Sequence, residues 1–265
     1  MSENVSHSPQ EELSLIALAA DEAGRIAMRY FRQAPDVWWK DGQSPVSEAD
    51  LEVDRFLRRT LIEARPAYGW LSEETVDDNE RLGAKRTFVV DPIDGTRAFL
   101  GGRDIWCVSI AVVEDGRAIA GVLDCPARSE RFAAVRGAGA WRNGQPIAVR
   151  QAQPEIVLAG PKAMMKNLPP DIYSRVVPYP YVPSLAYRVA MVADGRLDAT
   201  FIKPSSHDWD LAAVDVILGE AGGGVVDGAH QRPCYAGPNP RLGPLAAGSG
   251  LLLDVMAGAL ADIRA

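Results

Sequence analysis

Cysteine and histidine are scarce in this sequence of 265 residues, with three of each. Cys107, Cys125 and Cys234 are an odd set without paired spacing. That argues against a disulfide framework or a zinc site and fits a reducing compartment. Long apolar runs are missing as well. None approaches the roughly 18 residues that a membrane-spanning helix needs. The stretch from Met1 to Glu12 is polar and acidic, without the charged-then-apolar pattern of a secretory signal, so the cytoplasm is the expected location. Positive charge is not in excess. The formal net charge is −7, so no nucleic-acid polymer is expected as partner. No serine-hydrolase elbow is visible. Cys125, between Asp124 and Pro126, reads as a packed small residue rather than a nucleophile. Gly222-Gly223-Gly224 lacks the preceding strand and spacing of a dinucleotide fingerprint and reads as a helix stop leading into a strand.

What is present is ordinary for a globular chain, with 47% hydrophobic and 24% charged residues. Such a length allows one large domain or two intimate ones. Ser8-Pro9-Gln10-Glu11 is a capping-box pattern opening a helix on which Ile16, Ala19, Ala20, Ala23, Ala27 and Tyr30 recur at helical spacing. A second helix is expected from Ser47 to Ala64, ended by Pro66. Strands are expected at Thr87–Val90, Ile105–Val113, Ala118–Leu123 and Arg131–Val135, with a hairpin turn at Glu114-Asp115-Gly116. Residues 1–150 thus read as an α+β half, two helices on an antiparallel-rich sheet. Beyond the connector at Gln151–Pro154, strands at Ile156–Ala159 and Ala199–Ile202 alternate with helices at Ser184–Ala193 and Asp210–Glu220. Residues 151–265 read as a smaller α/β half, closed by a helix over Leu251–Ile263.

The chemistry concentrates at Asp91-Pro92-Ile93-Asp94-Gly95-Thr96, just past the apolar run Thr87–Val90. Two acids this close repel unless something positive lies between them. Hard divalent cations take carboxylate and carbonyl oxygens. Gly95 allows close backbone approach, and a helix starting at Thr96 would offer N–H groups to a phosphate. Further acids stand in suitable contexts: Glu73-Glu74 after a short apolar run, Asp50 three residues after the cap Ser47, and Asp210 opening a helix. His207 reads as packing or capping near that helix, and Trp209 as an anchor that aims Asp210. Lys40-Asp41 either positions a loop near the acids or is solvated.

Taken together, five ordered blocks resemble the inositol monophosphatase superfamily of magnesium-dependent, lithium-sensitive phosphatases. They are Lys40-Asp41 with Ser44–Asp50, Glu73-Glu74, Asp91–Thr96, Gly137–Ala140 with Asn143-Gly144, and Trp209-Asp210 with Glu220–Gly223. The resemblance implies a layered αβαβα sandwich of the inositol monophosphatase and fructose-1,6-bisphosphatase type. It also implies a phosphomonoesterase that hydrolyses a small phosphorylated metabolite with a metal-activated water. Glu73, Asp91 and the Ile93 carbonyl would hold one Mg²⁺, and Asp91, Asp94 and Asp210 a second. A third, weaker ion would lean on Glu73 and waters, which makes two to three ions in all. Asp50 and Thr96 would activate the water, with Glu73 also counted as catalytic, and the Gly95 and Thr96 N–H groups would bind phosphate. A homodimer is implied.

This sequence departs from the family at the substrate side. Lys203 stands seven residues before Asp210, where inositol monophosphatases usually carry a glutamate that accepts from inositol hydroxyls. A lysine cannot accept such bonds. Pro183-Ser184-Leu185 replaces a small segment lining the inositol site. Ser184, Arg188 and Lys203 are therefore the expected substrate-binding residues. Two substrate types lead: inositol or another polyol or sugar monophosphate, and 3′-phosphoadenosine 5′-phosphate, the substrate of the 3′(2′),5′-bisphosphate nucleotidases. Lys203 and Arg188 favour extra negative charge. Arg97 after Thr96 leans the other way, since the nucleotidases more often carry lysine there. Histidinol phosphate and fructose 1,6-bisphosphate stay open. The alternative from another class is a regulatory protein binding a macromolecular partner, with incidental phosphatase activity.

Overall fold

The computed structural model describes residues 7–40 and 44–260. Asp41, Asp262 and Ile263 lie outside the described residues. Helix α1 (Pro9–Tyr30) starts as its sequence dictates. The Ser8 hydroxyl accepts from the Glu11 N–H, and the Glu11 carboxylate returns the bond to the Ser8 N–H. A two-stranded ribbon follows, β1 (Val37–Lys40) and β2 (Ser44–Ser47). Its last residue, Ser47, caps α2 (Glu48–Ala64) in a second capping box with Asp50.

The large sheet takes β3 (Gly69–Ser72), β4 (Arg86–Asp94), β5 (Cys107–Glu114), β6 (Arg117–Cys125), β7 (Glu130–Val135), β8 (Gly139–Arg142) and β9 (Gln145–Pro146) in chain order. Only β3 and β4 run parallel, and every later pair is antiparallel. The short helix α3 (Thr96–Leu100) follows β4. Asp115 and Gly116 both take positive φ in the β5–β6 turn, the backbone that an Asp-Gly hairpin prefers. The five-stranded sheet takes β10 (Ile156–Ala159), β11 (Val176–Pro178), β12 (Ala199–Ile202), β13 (Gly224–Val226) and β14 (Leu245–Gly248) in the order β11-β10-β12-β14-β13. Its helices are α4 (Lys162–Met165), α5 (Pro170–Tyr173), α6 (Leu185–Ala193), α7 (Asp208–Glu220) and α8 (Gly250–Leu260).

These elements stack as α, β, α, β, α. Phe88, Val90, Ile110, Val112 and Val122 point from the large sheet to α1 and α2. Val89, Ala111, Val113 and Leu123 point the other way, to α6 and α7. Both faces are covered, so β4 to β6 read as continuous apolar runs rather than alternating ones. Beyond the small sheet, Met256 and Leu260 of α8 pack with Phe201 and Ala246. The layered α+β sandwich expected from the sequence is the observed fold.

One boundary differs from expectation, and some short strands were not foreseen. The Asp91–Asp94 segment is not past the end of its strand. After a bulge the ladder resumes at Asp94 opposite Cys107, so β4 runs on to Asp94. Bulges re-aim side chains next to functional sites. Strands β11 and β14 went unread because each is short and bounded by proline, leaving no period to count, whereas β13 follows the glycine stop as expected.

Candidate active site

Three of the buried elements end at one place. The bulge of β4 brings Asp91 and Asp94 side by side, and α7 contributes Asp210 from its first turn. Carboxylate oxygens of Asp91, Asp94 and Asp210 all lie within 4.8 Å of one another. Each is held by its backbone. Asp91 accepts from the Ile93 N–H at 3.0 Å. Asp210 accepts from the His207 N–H at 2.7 Å, at the positive end of α7. The start of α7 is pinned by the Ser109 hydroxyl on the Trp209 carbonyl at 3.2 Å, and the His207 ring stacks on Trp209 at 4.5 Å. His207 is thus a packing residue, and Trp209 is the anchor expected of it.

Asp94 sits at the N-terminus of α6. It accepts from the Ala186 N–H at 2.7 Å, from the Leu185 N–H at 3.2 Å, and from the Ser184 hydroxyl. Ser184 also caps α6 by accepting from the Tyr187 N–H. Its side chain is fully buried. This corrects the expectation that Ser184 binds substrate: its hydroxyl is spent on Asp94 and does not face the cleft. Gly95, at φ +97°, makes this docking possible. A Cβ there would stand 3.2 Å from the Ile105 carbonyl oxygen and from the Ser184 Cβ.

Helix α2 serves the site with two acids one turn apart. The Asp50 carboxylate lies 3.2 Å from the Thr96 hydroxyl, which is also 3.0 Å from the Ile93 carbonyl. Its single proton can serve one of the two at a time. Asp54 accepts from the Ser72 and Thr75 hydroxyls, fixing the loop that carries Glu73 and Glu74. The Glu73 carbonyl in turn accepts from the Lys40 ammonium at 3.0 Å, and Lys40 pairs with Glu74. Of the two readings of Lys40, the positioning one fits. Asp54 escaped sequence reading, although its spacing from Asp50 on a helix face was a usable signal.

The electrostatics are those of an acid cluster short of positive charge. Burial, followed by the charges of Asp210 and Glu74, raises Glu73 to about 8. Asp210 rises to about 7 through burial and then Asp94. Asp91 is pushed well above the usual carboxylate range by burial, then by Glu73, Asp94 and Asp210. Burial also raises Asp94 and Asp50, against the pull of their hydrogen bonds from Ser184 and Ser47. Lys40, the nearest lysine on the ribbon, is committed to Glu74. A divalent cation supplies what this arrangement lacks: hard positive charge facing several oxygens.

Beside Asp210 opens a cleft of about 490 Å³ that also includes Lys162, Tyr179, Tyr181, Arg188 and Lys203 among its walls. Arg188 and Lys203, expected from the sequence to bind substrate, both line this cleft. Lys162 and the two tyrosines were missed, because Lys162 opens a single-turn helix, the tyrosines sit on an irregular segment, and none belongs to a motif.

The profile of the Inositol monophosphatase family matches residues 9–261. A histidinol-phosphatase of Chlorobaculum parvum is 33% identical over 220 residues, 80% of this chain and 84% of that protein. A 3′(2′),5′-bisphosphate nucleotidase, CysQ, of Aggregatibacter actinomycetemcomitans is 28% identical, covering 82% of this chain and 84% of its own. A solved Thermotoga maritima IMPase superposes with a TM-score of 0.82 at 26% identity, covering 94% of this chain and 96% of that one. The acid cluster, its helix-terminal supports and the layered fold thus come with a match over nearly the whole chain, and the chain belongs to the inositol monophosphatase family.

Proposed function

We propose that this protein is a Mg²⁺-dependent phosphomonoesterase acting on a small phosphorylated metabolite. The observation that carries it is the convergence of Asp91, Asp94 and Asp210 within 4.8 Å, with the Asp50–Thr96 pair alongside. Glu73, Asp91 and the Ile93 carbonyl would hold one ion, and Asp91, Asp94 and Asp210 another. Bound there, magnesium neutralises phosphoryl charge and acidifies water. The chain's own residues do the rest. Thr96 orients the attacking water and passes its proton toward Asp50, whose raised affinity for a proton suits it as acceptor. The backbone N–H groups of Gly95 and Thr96, at the opening of α3, bind phosphate oxygens and stabilise the charge that builds on them. Asp54 and Lys40 keep the Glu73 loop in register.

Phosphate release from a panel of monoesters, with Mg²⁺ and with chelator, tests this reading. Release that requires the metal and disappears in Asp91→Asn supports it. Release indifferent to chelator, or a biological role kept intact by Asp91→Asn, would remove it and favour a regulatory binding protein.

A further inference from the structure

Several cations of this chain are held in carboxylate pairs. Arg131 bridges Asp21 and Asp124, Arg196 bridges Asp194 and Glu130, and buried Arg86 meets Glu12 and Glu114. The cleft beside Asp210 gathers three cations that are not so held. Lys162, Arg188 and Lys203 all line it, and among the described residues none of the three has a carboxylate within ion-pairing distance. The single carboxylate among the lining residues is Asp210, which belongs to the acid cluster. Arg188 spends one nitrogen on the Phe201 carbonyl at 3.2 Å, while its buried Nε has no partner. A buried guanidinium nitrogen without an acceptor is costly to leave so. The three come from separate segments, α4, α6 and the loop after β12, so no local sequence preference explains their meeting.

Apart from Asp210, which belongs to the acid cluster, the cleft's charges are three donor-only cations, and these suit an acceptor-only group. Uncharged polyol hydroxyls would leave the three positive charges unmatched, and an ammonium would be repelled. Given the phosphatase reading above, we infer that the leaving group of the substrate carries a second anionic group, phosphate or carboxylate, which seats between Lys162, Arg188 and Lys203. The guanidinium offers a planar fork and the two ammonium groups flank it as point charges. Lys162 is then a specificity-determining residue on the same footing as Lys203.

Matched substrate pairs test this. Adenosine 3′,5′-bisphosphate is compared with adenosine 3′-monophosphate, and 2-phosphoglycerate with glycerol 2-phosphate. The first pair differs by a phosphate and the second by a carboxylate, so the arms separate the two anions. The expected result is a preference of at least about tenfold in kcat/KM for the anion-bearing member of one pair or both. Lys162→Ala and Lys203→Ala, both at exposed positions, should each shrink that ratio by about tenfold, and rising salt should erode it. No preference in either pair, a preference that survives the double substitution, or L-histidinol phosphate turning over faster than every anion-bearing ester would overturn the inference. Absence of Mg²⁺-dependent release from all of them would count against the phosphatase reading instead. Calorimetric binding of the same pairs then decides the anion site: tighter binding of the anion-bearing members, lost in the double variant, upholds it, and equal binding ends it.

Discussion

The two walls of this site are built on opposite principles. On the acid wall, Asp50, Asp91 and Asp94 are buried and each is hydrogen-bonded to backbone at a helix start or a bulge. On the basic wall, Lys162 and Lys203 are exposed and make no ion pair among the described residues. Placing like charges together inside a protein is tolerable only where a counter-charge is to be delivered. The acid wall is therefore stiff and costly in the metal-free state, and its geometry follows from reaction chemistry. The two lysines of the basic wall are cheap in water, because each remains hydrated until a ligand arrives, and of its three cations only Arg188 has a buried, unpartnered Nε. The geometry of this wall follows from which leaving group must be held. Chemistry is fixed by the overdetermined wall and selectivity by the loosely held one, so substitutions on the two should break different parameters.

The largest effect should come from Asp91→Asn. Asparagine can still accept from the Ile93 N–H, so the bulge survives, but one charge facing the metal positions is gone. Turnover in saturating Mg²⁺ should fall at least about a thousandfold. Meanwhile the thermal midpoint in chelator should hold or rise, since an uncompensated buried charge has been removed. A collapse of both activity and midpoint would show that Asp91 is structural and would erase the distinction between the walls. Asp50→Asn comes next. It removes the acceptor facing Thr96 while keeping a capping side chain for Ser47, and kcat should drop by about a hundredfold or more with KM little changed.

The two walls also differ in how far the sequence revealed them. Asp91 to Thr96 form one contiguous hexapeptide, and Asp50 and Asp210 each stand three residues after a helix cap. Local rules suffice to place such residues, because strand, bulge and cap are set by near neighbours. The basic wall has no such signature. Lys162 approaches Lys203 only because β10 and β12 pair in parallel, a contact between segments some forty residues apart. Ser184 was misread for a related reason. Its position beside the site was legible, but whether its hydroxyl faced the cleft or Asp94 depended on how α6 docks against the Gly95 turn. The main helices and strands were readable from helical spacing and apolar runs, whereas their layering was expected only from the family resemblance. Strands β11 and β14, with three and four residues, were not readable.

Ser184→Ala probes the border between the walls. The alanine leaves Asp94 with its two N–H partners from Leu185 and Ala186 but removes the hydroxyl. Asp94 should drift from the position it shares with Asp91 and Asp210. The Mg²⁺ concentration for half-maximal activity should rise by about tenfold, as supporting residues around metal ligands typically give. KM for substrate at saturating metal should barely move. If KM moved and the metal requirement did not, Ser184 would belong to the leaving-group wall after all.

The smallest effect lies in the stability of the metal-free protein. Glu73 near 8, Asp210 near 7 and Glu74 near 6 all titrate above ordinary carboxylates, chiefly because burial disfavours their charged forms. A carboxyl whose folded-state value is raised contributes stability that is complete below its unfolded value, near 4.5 for Glu. That contribution is lost as pH climbs through the folded value. In chelator, the thermal midpoint should therefore decline from about pH 5 to pH 8, by several degrees for a chain of this size. Magnesium should restore it, and restore more at pH 8 than at pH 5, because protons compete with the ion for the same oxygens. Removing one cation of the basic wall with Lys162→Ala should leave that pH slope in place, since Lys162 is absent from the charges that shift these three acids most. A flat midpoint in chelator across that range would mean that the acids already hold their counter-charge within the protein, and the case for a delivered cation would lose its physical basis.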